Sequence, residues 1–160
     1  MLVLAWGAGL FLATRFFADW EQDRLNPNRN PVSVVQGERI EVQLLSNSQG
    51  HFVADGRING QPVTFLVDTG ATDVAIPLEL AERLELPRGA PVGLQTANGQ
   101  TTGYRTVLNS LGLGDILLHK VRAIVAPGFD GNQVLLGMSA LKQLEFTQRA
   151  GTLVLHQLAP

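Results

Sequence analysis

Two Asn-Gly dipeptides, Asn59-Gly60 and Asn98-Gly99, constrain this 160-residue chain more than any other local feature. A two-residue type I′ hairpin turn needs positive φ at both central positions, and Asn followed by Gly meets that need at low steric cost. Each dipeptide is flanked by runs that read as strands: residues 51–58 and 63–67 around the first, 92–96 and 101–108 around the second. The arms of the second are polar and small on alternate residues, so this hairpin is expected to project from the body of the fold. Residues 40–44 alternate apolar with polar, while 74–76, 116–125 and 134–136 are apolar runs of strand length. Residues 145–156 read as a closing hairpin around Ala150-Gly151. Pro77 opens a segment with Leu78, Leu80, Ala81 and Leu84 at helical spacing, and a second short helix is expected over 139–144 with Ser139 as its N-cap. The sum is an all-β domain over residues 38–160 with one or two short helices.

Composition bounds what such a domain can do. The length leaves room for one ordinary domain and a short appendage. Fourteen acidic residues against 12 basic ones give a net charge of -2 without a basic stripe, which makes nucleic acid a poor partner. The absence of cysteine excludes disulfides, thiolate nucleophiles and cysteine-based zinc sites. His51, His119 and His156 are too far apart for metal-ligand spacing, so no metal and no cofactor is expected. The glycines at Gly112 and Gly114 precede a strand instead of a helix, unlike a phosphate-binding loop. Ser139 lies in Gly-Met-Ser-Ala-Leu, which lacks the second glycine of a nucleophile elbow.

Residues 1–20 read as a membrane anchor and 21–37 as a linker. Residues 1–14 carry no charge and span about 21 Å as a helix, short of a bilayer core. Arg15 can snorkel, and Phe16, Phe17 and Trp20 suit the interface, so a single transmembrane helix is expected. A cleaved signal peptide is the competing reading, but no Lys or Arg precedes the apolar run. In the polar stretch that follows, Pro27 and Pro31 block helix and favour extended chain.

The chemistry centres on Phe65-Leu66-Val67-Asp68-Thr69-Gly70-Ala71-Thr72, where a carboxylate directly follows a buried apolar strand. An ionised carboxylate is costly to bury, so Asp68 needs partners or a function. Thr69 offers a hydroxyl that both donates and accepts, and Gly70 lets the backbone approach the carboxylate closely. Asp-Thr-Gly by itself is a weak signal and reads first as an ordinary turn. A weak internal echo places Leu136, in Val134-Leu135-Leu136-Gly137, where the first half has its acid, and hints at two similar half-domains.

The segment 65–72 resembles the active-site stretch of retropepsin-like aspartic proteases, and Val134-Leu135-Leu136-Gly137 is similar to their apolar-apolar-Gly segment before the C-terminal helix. With the apolar N-terminal segment, the pattern looks closest to bacterial membrane-anchored single-domain members. The resemblance implies a closed β-barrel half-domain, an aspartic endopeptidase, and a homodimer in which two Asp68 carboxylates activate one water. It implies catalytic roles for Asp68, Thr69 and Gly70, and a peptide-binding surface from Ala71, Leu135, Leu136 and a flap of Gln95, Thr96, Ala97, Asn98 and Gly99. Aspartic proteolysis needs two carboxylates sharing a proton, and one Asp-Thr-Gly supplies half of that. Thr72 and Met138 stand where retroviral members often carry an Asp and an Arg, so an intersubunit ion pair of the viral kind is not expected here. The rival reading is a non-catalytic membrane-anchored peptide-binding or dimerisation module of the same fold. The expected location is a bacterial inner membrane, single-pass, with the catalytic domain periplasmic.

Overall fold

The computed structural model describes residues 21–22, 24–96, 99–128 and 132–158. The expected anchor over 1–20 lies outside them, and among the described residues no helix is long and apolar enough to cross a membrane. The elements run β1 (Val32–Gln36), β2 (Arg39–Leu45), β3 (Val53–Ile58), β4 (Gln61–Val67), β5 (Val74–Pro77) and α1 (Leu78–Arg83). They continue with β6 (Pro91–Thr96), β7 (Gly99–Leu113), β8 (Ile116–Ala126), β9 (Gln133–Leu136), α2 (Met138–Leu141), β10 (Glu145–Arg149) and β11 (Thr152–Leu158).

The turn chemistry behaves as the dipeptides dictate. Asn59 and Gly60 sit at φ 50° and 81° and join β3 to β4, with Arg57, Pro62 and their neighbours in antiparallel register. The Asn59 side chain also accepts a hydrogen bond from Ser110 N at 3.0 Å, tying the turn to β7. Ala150 and Gly151 form a similar turn at φ 48° and 75° between β10 and β11.

Strands β3, β4, β9, β5, β8 and β7 form a ring that closes where Arg57 and Ile58 pair with Gly112 and Leu111. This is a closed six-stranded barrel, with mixed strand directions: β4 runs parallel to β9, and β5 parallel to β8. Its interior is filled by Ile58, Val63, Phe65, Val74, Ile76, Leu108, Val121, Val125, Val134 and Leu136, all buried. Each such side chain contributes about 1.5–3 kcal/mol when fully removed from water. Helix α1 buries Leu80 and Ala81 in the same core, as its spacing predicts.

Strand β7 is 15 residues long and changes partners along its length. From Tyr104 to Leu113 it pairs with β8 as barrel wall, and from Gly99 to Tyr104 it pairs with β6, which stands outside the ring. The expected projecting hairpin is therefore one arm of a barrel strand that outruns the barrel.

A second sheet, in the order β1-β2-β11-β10, is built from the two ends of the described chain. Part of the stretch read as a linker, residues 21–37, is thereby corrected: Val32–Gln36 is strand β1, paired with β2 from Val32↔Gln43 to Gln36↔Arg39. Upstream, Asn28 is 5% exposed, and its side chain donates to Leu45 O at 2.9 Å and Val53 O at 2.7 Å while accepting from Leu45 N at 2.7 Å. Its own carbonyl accepts from Asp55 N. The prolines do keep this segment extended, but the polar composition that reads as linker conceals an amide satisfying main-chain groups between β2 and β3.

Candidate active site

Strand β4 ends at Val67, and Asp68 begins the loop that returns the chain to β5. The loop is held at both ends by β9 and α2. Asp68 N donates to Leu136 O at 3.2 Å, Ala71 N to Asp68 O at 3.2 Å, Met138 N to Ala71 O at 2.8 Å, and Ser139 N to Thr72 O at 2.9 Å. Gly137 makes this closeness possible: a Cβ there would stand 2.8 Å from Ala71 O and nearer still to the Asp73 carbonyl. The second motif thus exists to let the first one pack.

Asp68 is half-buried, and its Oδ1 accepts a hydrogen bond from Gly70 N at 2.8 Å. This bond fixes the orientation of the carboxyl within the loop. A side chain at position 70 would press to 3.1 Å on the same oxygen. Thr69 and Gly70 are exposed on the outer side of the loop, where the chain itself provides no cover. The arrangement presents one oriented carboxylate at the surface.

The other predicted site residues fall into three groups. Ala71 is half-buried in the loop beside Asp68. Leu135 and Leu136 part company: adjacent residues on a pleated strand face opposite sides, so Leu136, 1% exposed, points into the core while Leu135 is half-buried on the other face. Leu136 is corrected from substrate contact to core residue, supporting the site through its carbonyl. On the projecting hairpin, Gln95 and Thr96 pair with Gln100 and Gly99, Gly99 taking φ 109°. Ala97 and Asn98 lie outside the described residues. A cavity of about 420 Å³ lies against this hairpin, along Gly93, Leu94, Gln95, Gln100, Thr101 and Thr102. At its base Arg88 stacks over the Tyr104 ring at 4.5 Å, where β7 changes partners.

Ser139 does not cap α2, whose N-cap is Gly137 without a side-chain hydrogen bond. Its hydroxyl accepts from Val74 N at 2.9 Å and donates to Arg122 O at 2.7 Å, joining β5 to β8 behind the loop. Beside it, Asp73 carries an ion pair to Arg122 at 3.4 Å. Sequence reading assigned neither residue a role. The available signals were an acid directly before buried Val74 and an Arg inside the apolar run of β8.

A closed six-stranded barrel with Asp-Thr-Gly in the loop leaving one strand, a glycine-terminated strand beside it and a projecting hairpin defines an acid-protease half-domain. Comparison with known proteins agrees. Residues 54–143 match the family model described as "gag-polyprotein putative aspartyl protease". The crystal structure of a retropepsin-like aspartic protease from Rickettsia conorii superimposes with a TM-score of 0.64 at 28% identity, covering 80% of this chain and 96% of that one. An uncharacterized protein in the cobV 5' region of Sinorhizobium sp is 34% identical over 127 residues, 78% of this chain and 54% of its own length. Uncharacterized protein RP867 of Rickettsia prowazekii is 29% identical over 108 residues, 66% of this chain and 46% of its own length. The chain thus spans about half the length of the curated relatives it matches. It belongs to the retropepsin-like aspartic proteases.

Proposed function

We propose that this chain is an aspartic endopeptidase that works as a homodimer, each protomer supplying one Asp68 to a shared site. The observation carrying the proposal is the Asp68 loop itself: one oriented, half-buried carboxylate, with Thr69 and Gly70 exposed around it. The acid nearest in sequence, Asp73, is engaged by Arg122 and does not supply the second carboxylate. A two-fold axis beside the loop delivers that second carboxylate from an identical patch on another copy.

In the dimer the two carboxyl groups share one proton, since close like charges do not both ionise cheaply. The ionised member takes a proton from water as it attacks the scissile carbonyl, and the protonated member donates to the carbonyl oxygen. The tetrahedral intermediate then collapses with protonation of the leaving amine. Thr69 is assigned to bond across the two loops, and the hairpin of β6 and β7 to close over an extended peptide and exclude water. Ala71 and Leu135 offer apolar surface to its side chains. Residues 1–20 are assigned to anchor the protein in a bacterial inner membrane, with this domain on the periplasmic side; the uncharged apolar run 1–14 supports the anchor.

The test uses the full chain in detergent micelles. Cleavage of a peptide mixture and autolysis are compared between wild type and Asp68→Asn across about pH 3 to 7, with and without a pepstatin-type inhibitor. Asp68→Asn is expected to lower turnover by at least about a thousandfold, since it removes a proton-transfer group that nothing nearby replaces. Equal activity in the two proteins would leave the non-catalytic binding module as the better reading.

A further inference from the structure

The residue behind the Asp68 loop that the proposed chemistry leaves unused is Asp73. Its side chain is 15% exposed, and its Oδ1 is fully buried without a hydrogen bond. A buried anionic oxygen in that state needs a compensating charge. The group that meets it is Arg122 Nη2 at 3.4 Å, contributed by β8 of the same chain. The separation and the lack of hydrogen-bond geometry make this a Coulombic tether, not a bidentate clamp. The Arg122 side chain is 69% exposed, so the tether is open to screening by salt.

We infer that Asp73 and Arg122 form a positioning pair that holds the Asp68 loop against β8 within each protomer, before a second copy is engaged. Two observations converge. Asp73 ends the loop that Asp68 begins, and Val74 next to it pairs with Ala123 next to Arg122. The Ser139 hydroxyl bridges Val74 N and Arg122 O, so a side chain of α2 already ties the main chains of the same two strands at this point.

The activity readout rests on the protease reading, so the experiment carries a second readout that does not. Arg122→Gln, Asp73→Asn and Arg122→Lys are made in the full chain, where the Ser139 to Arg122 carbonyl bond survives each change. Steady-state kinetics, the concentration midpoint of dimerisation and amide hydrogen exchange at Val74 and Met138 are measured at low and high salt. The first two variants are expected to lower kcat about tenfold with KM and the dimer midpoint within about twofold of wild type, the signature of a misplaced catalytic group. Exchange at Val74 and Met138 is expected to accelerate in them, high salt to move wild type toward the same behaviour, and Arg122→Lys to recover most of kcat at low salt. Unchanged kcat and exchange would overturn the inference. A raised KM at constant kcat would overturn it too, by making Asp73 a substrate contact, as would a shifted dimer midpoint, by placing the pair across the interface. If wild type shows no activity, the protease reading fails alone, and the exchange rates decide on the tether.

Discussion

At the residue scale, what distinguishes Asp68 from a turn aspartate is who crowds it. Gly70 delivers an N-H to its carboxylate, and Gly137 lets the Ala71 and Asp73 carbonyls approach α2. Gly137→Ala inserts a methyl into backbone that has no flexible neighbour to displace. The expected penalty is about 1–3 kcal/mol of stability, as for overpacked interiors. The displaced segment is the loop carrying Asp68, so turnover should fall by more than unfolding in urea implies. An unchanged urea midpoint together with unchanged turnover would show that the loop has slack the packing denies.

At the element scale, the N-terminal border of the domain lies well before residue 38. Asn28 satisfies Leu45 N, Leu45 O and Val53 O, and β1 covers one edge of β2. Asn28→Ala leaves those main-chain groups unpaired in a buried place, a loss of about 2–4 kcal/mol. Equilibrium urea unfolding checks the figure, and a loss under about 1 kcal/mol would mean water replaces the amide there. A chain begun at residue 38 lacks both the clamp and β1 and bares the β2 edge, so aggregation is the expected outcome of that truncation.

At the scale of the whole molecule, the proposed shared site would make activity a property of concentration. Specific activity should fall on dilution through the dimer midpoint, and an excess of Asp68→Asn chain should suppress wild-type activity by capturing its subunits in one-carboxylate dimers. Activity per wild-type chain that is indifferent both to dilution and to the added variant would sink the shared-site mechanism. The fold makes such a site economical: the barrel closes on itself through β3 and β7, leaving the Asp68 loop facing outward.

The sequence by itself determined the local events. The Asn59-Gly60 turn, the helical spacing of α1, the strand ahead of Asp68 and the polar projecting hairpin all follow from φ preferences and side-chain periods that act within a few residues. The candidate carboxylate was legible for the same reason, since its neighbours in sequence are also its neighbours in the loop. Tertiary structure decided the rest. Whether Leu135 or Leu136 faces the core depends on the register of β9 between β4 and β5. Asn28 reads as linker until Leu45 and Val53 are brought to it, and Asp73 has no role in the sequence until β8 places Arg122 beside it. Their partners lie far along the chain, and burial, which makes an amide or a carboxylate matter energetically, exists only once those distant strands have packed.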